Sequence, residues 1–201
     1  MVDEHLLAQR ALAGDQAAFA ELVHAYQGPV YNLAYRMLGT AAEAEEAAQE
    51  TFVRVYRRLD TYDPQLKFSS WILSIASHYC VDRLRRRRIV PLSLEEEQVE
   101  PREPADEAPE RRLLAAEREQ EIQGLLAQLP EAYRIVLVLR YWHDLSYQEI
   151  ANTLGTSESA IKAKLHRARE SMAQHLARRQ ATQPTSGLER RVTGHALPRS
   201  A

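Results

Sequence analysis

Cysteine is nearly absent: Cys80 is the only one in 201 residues. That excludes both a disulfide framework and a cysteine zinc cluster. Glycine is scarce, with seven residues, and alternating β-branched runs are almost missing, which argues against a sheet. No stretch approaches the roughly 20 apolar residues of a membrane span. The opening MVDEHLLAQR lacks the basic start and apolar core of a signal peptide. These absences predict a soluble, intracellular chain suited to a reducing cytoplasm. There is no Gly-rich phosphate loop and no paired-His metal motif, so neither a metal nor a cofactor is expected. His78, Cys80 and Asp82 invite a nucleophile reading. On a helix, however, residues two apart point about 200° away from each other. They cannot converge, Cys80 reads as a small core residue, and no enzyme is expected.

What the chain does have is helix formers in quantity and charge in blocks. The hydrophobic share is 45% and the net charge −2, ordinary for a globular protein. The distribution says more than the sum. Residues 82–88 hold five Arg against one Asp, residues 91–110 hold eight acids against Arg102, and residues 157–179 hold six Lys or Arg against two Glu. Two basic blocks separated by an acidic one suggest two nucleic-acid-facing surfaces and a linker that avoids nucleic acid.

The most informative stretch is LSYQEIANTLGTSESAIKAKLHRAR, residues 145–169. Ser146 with Glu149 three residues on forms a capping box. Ile150, Ala151 and Leu154 give the following helix one apolar face. Gly155 suits the positive φ of a sharp helix-to-helix turn. Ser157 is an N-cap with Glu158 in the next first turn. The second helix buries Ile161, Leu165, Ala168 and Met172, and shows Ser159, Lys162, His166 and Arg169 on another face. Helical hairpins are common and a cationic face is often only a solvated one. Here both caps, the glycine turn and the basic face agree on a helix-turn-helix that enters a DNA major groove.

The N-terminal part reads as helices over 3–13, 15–26 and 30–38, with Asp15 as a cap, a turn at Gly28-Pro29 and an end at Gly39. A longer helix over 42–59 has Phe52, Val55, Tyr56 and Leu59 as its core stripe. Glu46, Gln49, Glu50 and Arg57 lie outward, a face the pattern alone assigns to solvent. A loop over 60–67 precedes a helix over 68–88 with Ile72, Ile75, Ala76 and Tyr79 inside. That helix carries Trp71 near its start and Arg85–Arg88 at its end. Cations that hold phosphates and an aromatic that stacks on exposed bases suit DNA. Residues 91–109 hold four prolines and dense acid, the composition of an extended or disordered linker. Helices over 110–128 and from Glu131 follow, with a turn at His143-Asp144. The chain after Leu176 reads as a mostly disordered tail.

Two helical parts joined by an acidic linker resemble the extracytoplasmic-function (ECF) sigma factors of the sigma-70 family. The resemblance rests on GDQAAFAELVHAY, EEAAQETFVRVYRRL and FSSWILSIASHYCVDRLRRRR, then on LAQLPEAYRIVLVLRYWHDLSYQEIANTLGTSESAIKAKLHRAR, in that order and spacing. It covers about residues 10–90 and 110–177. It implies an all-α fold of two small domains: a sigma region 2-like helical bundle over 1–90 and a sigma region 4-like helix-turn-helix domain over 111–179. An acidic linker over 91–110 joins them, and a tail over 180–201 follows. The implied partners are bacterial core RNA polymerase (its β′ clamp helices and β flap), promoter DNA and an anti-sigma factor. The implied location is the cytoplasm, with no direct membrane insertion beyond tethering by that factor.

The resemblance also assigns residues. Glu46, Gln49, Glu50 and Arg57 match the segment that docks on the β′ clamp helices, which replaces the solvent reading of that face. Lys67, Trp71, His78, Arg83, Arg85 and Arg86 fall in the part that reads and opens the −10 element, where one base is flipped out and held. Family members often carry Asn where this chain has His78, which leaves the captured base open. Lys162, His166 and Arg167 match groove-reaching positions of −35 recognition, with Ser159 on the same helix. Ser157, Lys164 and Arg169 match phosphate contacts. Ala163 stands where some relatives have a polar residue. The implied action is recruitment and −10 melting, with tethered readers that bind far better together than apart. The alternative is a stand-alone helix-turn-helix regulator that binds duplex operator DNA, expected as a dimer on a palindrome.

Overall fold

Caps decide where several of the helices begin or end. The computed structural model describes residues 4–89 and 109–182, which form eight α-helices and one short 3-10 turn. The helices are α1 (Glu4–Leu12), α2 (Gln16–Leu38), α3 (Ala41–Arg57), α4 (Phe68–Ile89), α5 (Pro109–Ala127), α6 (Glu131–Tyr141), α7 (Tyr147–Leu154) and α8 (Glu158–Thr182), with the 3-10 turn at Leu59–Thr61. Asp15 caps α2 by accepting from the N–H groups of Ala17 and Ala18 at 3.0 and 3.1 Å, and Thr40 caps α3. Gly39, at φ 99°, ends α2 in the left-handed region that a side chain would strain.

The predicted turn at Gly28-Pro29 does not occur: α2 runs straight through Pro29. Proline removes one hydrogen bond, to the carbonyl four residues back. Ala25, which carries that carbonyl, is exposed, so water can satisfy it. Tyr26, Val30 and Leu33 are buried on either side of the proline, and that continuous stripe outweighs the local signal.

The predicted stripe of α3 is also corrected. Val55 and Leu59 are buried as expected, but Phe52 is only half-buried and Tyr56 is 59% exposed. Tyr56 lies at the surface against Phe19, with ring centroids 5.0 Å apart. The buried face is instead Ala41, Ala44, Ala47, Thr51 and Val55. Small side chains let α3 approach α2 and α4 closely, so aromatic bulk is not needed there. The α3 helix stops at Arg57, and Leu59 belongs to the 3-10 turn.

The helix α4 is central. It packs against α2 and α3 on one side and α6 and α7 on the other. Phe68, Ile72, Leu73, Ala76, Ser77 and Cys80 are all buried, more of the circumference than one stripe would cover. Burial pushes the Cys80 thiol up to about 12, so it is an inert packing group. The second half closes on Leu126, Leu129, Ile135, Val136, Val138, Leu139, Ile150, Ile161 and Leu165. A fully buried side chain of this kind contributes roughly 1.5–3 kcal/mol. The C-terminal boundary moves as well: α8 continues to Thr182 rather than giving way to a tail after Leu176. Of the linker expected over 91–110, Pro109 and Glu110 already belong to α5, and of the tail expected over 180–201, residues 180–182 belong to α8; the rest of both expectations lies outside the described residues.

Candidate nucleic-acid interface

The helix-turn-helix forms from its local signals. Ser146 Oγ accepts from the Glu149 N–H at 3.2 Å, and the Glu149 carboxylate accepts from the Ser146 N–H at 2.8 Å, so the capping box is complete. Gly155 sits at φ 61° and ends α7, where the Thr156 N–H closes onto the Ala151 carbonyl at 2.9 Å. Ser157 Oγ accepts from the Ala160 N–H at 3.3 Å and starts α8. Ile161, Leu165 and Ala168 are buried and Met172 is half-buried, so the opposite face of α8 is turned outward. Asp144, at φ 55°, makes the turn between α6 and α7.

That outward face holds the predicted −35 residues, and each is steadied differently. Lys162 is 57% exposed, pairs with Glu158 at 2.6 Å and lies 5.8 Å from the Tyr147 ring. The carboxylate of Glu158 raises its pKa. His166 is 74% exposed, with Nε2 at 3.5 Å from Glu170. Ser159 and Arg167 are exposed, and Lys164 is half-buried. Arg169 points back across the domain and donates to Tyr141 Oη at 2.9 Å. It borders an apolar groove of about 270 Å³ formed by Leu137, Tyr141, Trp142, Met172 and Leu176. The sequence reading placed Arg169 with the DNA-facing set and did not anticipate this groove, whose only signal is the row of Met172 and Leu176 beyond the helix-turn-helix.

The predicted −10 residues are less uniform. Lys67 is 71% exposed but bonds Glu149 of α7 at 2.6 Å. That contact raises the lysine and, with the Ser146 cap, holds the Glu149 carboxyl down at about 2. Trp71 is half-buried in an aromatic cluster, 5.4 Å from Tyr62 and 5.5 Å from Phe68. His78 is exposed. Its Nδ1 lies 2.7 Å from the Ser74 carbonyl. A carbonyl only accepts, so the hydrogen sits on Nδ1 and neutral His78 offers Nε2 as an acceptor. Arg85 and Arg86 are exposed, and Arg85 is 3.8 Å from Glu131.

Arg83 and the docking face meet. Arg83 donates to Glu46 at 2.7 Å, to Tyr79 Oη at 3.1 Å and to Glu43 at 3.4 Å. The Arg83 guanidinium lowers the Glu46 pKa. Glu43 also binds Arg87. Two residues read as belonging to different partners, Glu46 and Arg83, are thus one ion pair. Gln49 and Arg57 are exposed, and Glu50 pairs with Arg54 at 2.8 Å. Glu43 has no sequence signal of this role, because Arg83 and Arg87 lie 40 or more positions away along the chain. Among the described residues no group of three or more His, Cys, Asp or Glu could hold a metal. No described helix is long and apolar enough to cross a membrane.

Comparisons with known proteins agree with this geometry. The family model for Sigma-70 region 2 matches residues 22–89, and that for Sigma-70 region 4 matches residues 119–172. The chain is 37% identical to the ECF RNA polymerase sigma factor SigW of Bacillus subtilis, covering 81% of this chain and 91% of that one. Among solved structures it is similar to CnrH in complex with the cytosolic domain of CnrY, at 26% identity and a TM-score of 0.64, over 87% of this chain and 97% of that one. The sigma factor RpoE of Bartonella quintana, solved with the anti-sigma factor NepR, shares the fold at 18% identity and a TM-score of 0.63, over 79% of this chain and 96% of that one.

Proposed function

The chain belongs to the ECF sigma factors of the sigma-70 family, and from that membership we propose how its residues divide the work of initiating transcription. It brings core RNA polymerase to promoters, and its DNA-binding parts are the region 2 and region 4 segments. The observation that carries the reading is the outward cationic face of α8 behind a complete capping box and a left-handed Gly155.

In this proposal residues 1–90 dock and melt, residues 111–179 read the −35 element, and 91–110 join them. Lys162, His166 and Arg167 reach base edges from α8, with Ser159 beside them, while Ser157, Lys164 and Arg169 meet phosphates. Arg169 would have to exchange Tyr141 for a phosphate oxygen. Lys67, in the loop before α4, and Arg83, Arg85 and Arg86 on α4 hold the −10 backbone, Trp71 stacks and His78 receives the captured base. An Nδ1–H tautomer favours a base edge that donates to Nε2. Glu46, Gln49, Glu50 and Arg57 dock on the polymerase clamp, with the β flap near region 4. An anti-sigma factor holds the chain inactive in the cytoplasm; the similar RpoE of Bartonella quintana is seen in complex with the anti-sigma factor NepR. The action is recruitment, without a covalent step.

The test is in vitro transcription with purified bacterial core polymerase on fragmented genomic DNA of the host, with and without the chain. Discrete start sites that depend on the chain are expected, and their upstream sequences define both elements. No binding to the polymerase and no new start site would overturn the reading.

A further inference from the structure

Of the DNA-facing residues, only Arg169 borders the apolar groove between α6 and α8. Leu137, Tyr141 and Trp142 of α6 form one wall, and Met172 and Leu176 of α8 the other, around about 270 Å³. Most large apolar side chains of the described residues are buried, yet Tyr141 and Leu176 are 57% and 38% exposed. Trp142 and Met172 beside them are half-buried. Neighbouring apolar side chains left open in this way mark a docking surface. Its occupant needs apolar side chains of matching spacing.

The chain itself carries such a segment within reach. The α8 helix ends at Thr182, six residues or about 9 Å beyond Leu176. Residues 183–201 follow, QPTSGLERRVTGHALPRSA. Pro184 and Gly187 are helix breakers that permit the chain to reverse. Residues 183–187 span up to about 17 Å, enough to bring Leu188 back level with Leu176. Leu188 and Val192 are four residues apart, as are Met172 and Leu176. A segment that returns against the direction of α8 therefore sets Leu188 on Leu176 and Val192 on Met172 in one register. One helical turn places Leu188 and Val192 on the same face, with Arg190 on the opposite one.

We propose that Leu188 and Val192 fold back into the groove between α6 and α8 of the same chain and cover Tyr141 and Trp142 in the free protein. Tethering makes this feasible for a weak contact. A short flexible connection gives an effective concentration of about 1 mM, so a segment that binds at about 0.1 mM when free covers the groove in about nine chains of ten. Any partner that takes the groove must displace the segment, and its apparent affinity falls by the fraction of chains left open. The inference goes beyond the sigma-factor reading and does not depend on it.

The test reads Trp142, which lines the groove. The chain has two tryptophans, so Trp71→Phe in every sample leaves Trp142 as the sole reporter. Acrylamide quenching is compared in the full chain and in the full chain carrying Leu188→Asp and Val192→Asp. The fraction of chains with Trp142 accessible should rise about tenfold in the charged variant, from about one in ten to all. Equal quenching in the two would overturn the proposal. Protection that fades on dilution would assign the groove to a second copy of the chain. Protection seen in both proteins only after core polymerase is added would assign it to the polymerase. Either result overturns the proposal as well. A chain ending at Thr182, mixed with the free peptide 183–201, guards against a folding defect in the charged variant. The peptide should restore protection with a midpoint of about 0.1 mM, and a peptide without effect would count against the fold-back. The quenching comparison of the two chains uses neither polymerase nor DNA, so its failure is distinct from a failure of the transcription test above.

Discussion

Two basic helices in this chain spend their cations in opposite ways. On α8, Lys162 and His166 are 57% and 74% exposed and lean on carboxylates one turn away on the same helix. On α4, Arg83 and Arg87 are only 28% and 27% exposed, and both are held by carboxylates of α3. An exposed pair one turn apart is worth about 0.3–0.5 kcal/mol, so these cations of α8 can exchange their partners at little cost. A cation wedged between two helices also braces them. The lesson is that an arginine-rich helix end is not by itself a free DNA surface: part of the run on α4 is structural, and among its described side chains Arg85 and Arg86 are the exposed ones.

The sharpest way to break this comparison is to remove the shared carboxylate. Glu43→Ala leaves Arg83 and Arg87 short of a partner in a half-buried site and should cost about 2–3 kcal/mol. Thermal unfolding should fall by about 5–10 °C, while Lys162→Ala leaves it nearly unchanged. Equal shifts in the two melts would mean that α4 and α8 hold their cations alike. The next effect is on binding. Lys162→Ala should weaken promoter binding by holoenzyme at least tenfold, and relax preference at one −35 base pair. Lys164→Ala should weaken all sequences evenly and lower the salt slope by about one. A uniform loss for both would remove Lys162 from base reading.

A smaller effect tests the frame that presents α8. Ser146→Ala deletes one half of the capping box and should cost about 1 kcal/mol, measurable by denaturant titration. The smallest is a pH dependence. The Glu149 carboxyl is held at about 2, against its ordinary 4.5, by Lys67 and the Ser146 cap. Its contribution is therefore complete above about pH 4.5 and is lost as pH falls from there through about 2. Acid titration of the parent should be steeper in that window than titration of Glu149→Gln, and superimposable curves would refute the coupling.

Much of the local structure was legible because its causes are local. Asp15, Gly39, Ser146 and Gly155 start or stop helices where their side chains or φ angles demand it. The buried stripe of α8 followed from spacing alone. Pro29 misled because a breaker acts on one hydrogen bond, whereas the buried row from Tyr26 to Leu33 spans the whole helix. Tyr56 misled because apolar spacing says which residues share a face, and the neighbouring alanines made a second face that packs more closely. Within the candidate interface, Lys162 and His166 could be read from the chain. The engagement of Arg83 by Glu46 could not, since residues 37 positions apart meet only through the crossing of α3 and α4.

By itself the sequence determined the helical class, most of the capped helix ends, the helix-turn-helix and the family. Each rests on neighbours within a turn or two, where capping, glycine conformation and periodic burial act. The tertiary structure alone decided which cations are exposed and which are held between helices, and it alone joined Gln123 and Arg134 to the carbonyl end of α2. Those outcomes depend on which helices cross and at what distance. Charge and hydrogen bonding act over a few ångströms in space, whatever the separation along the chain.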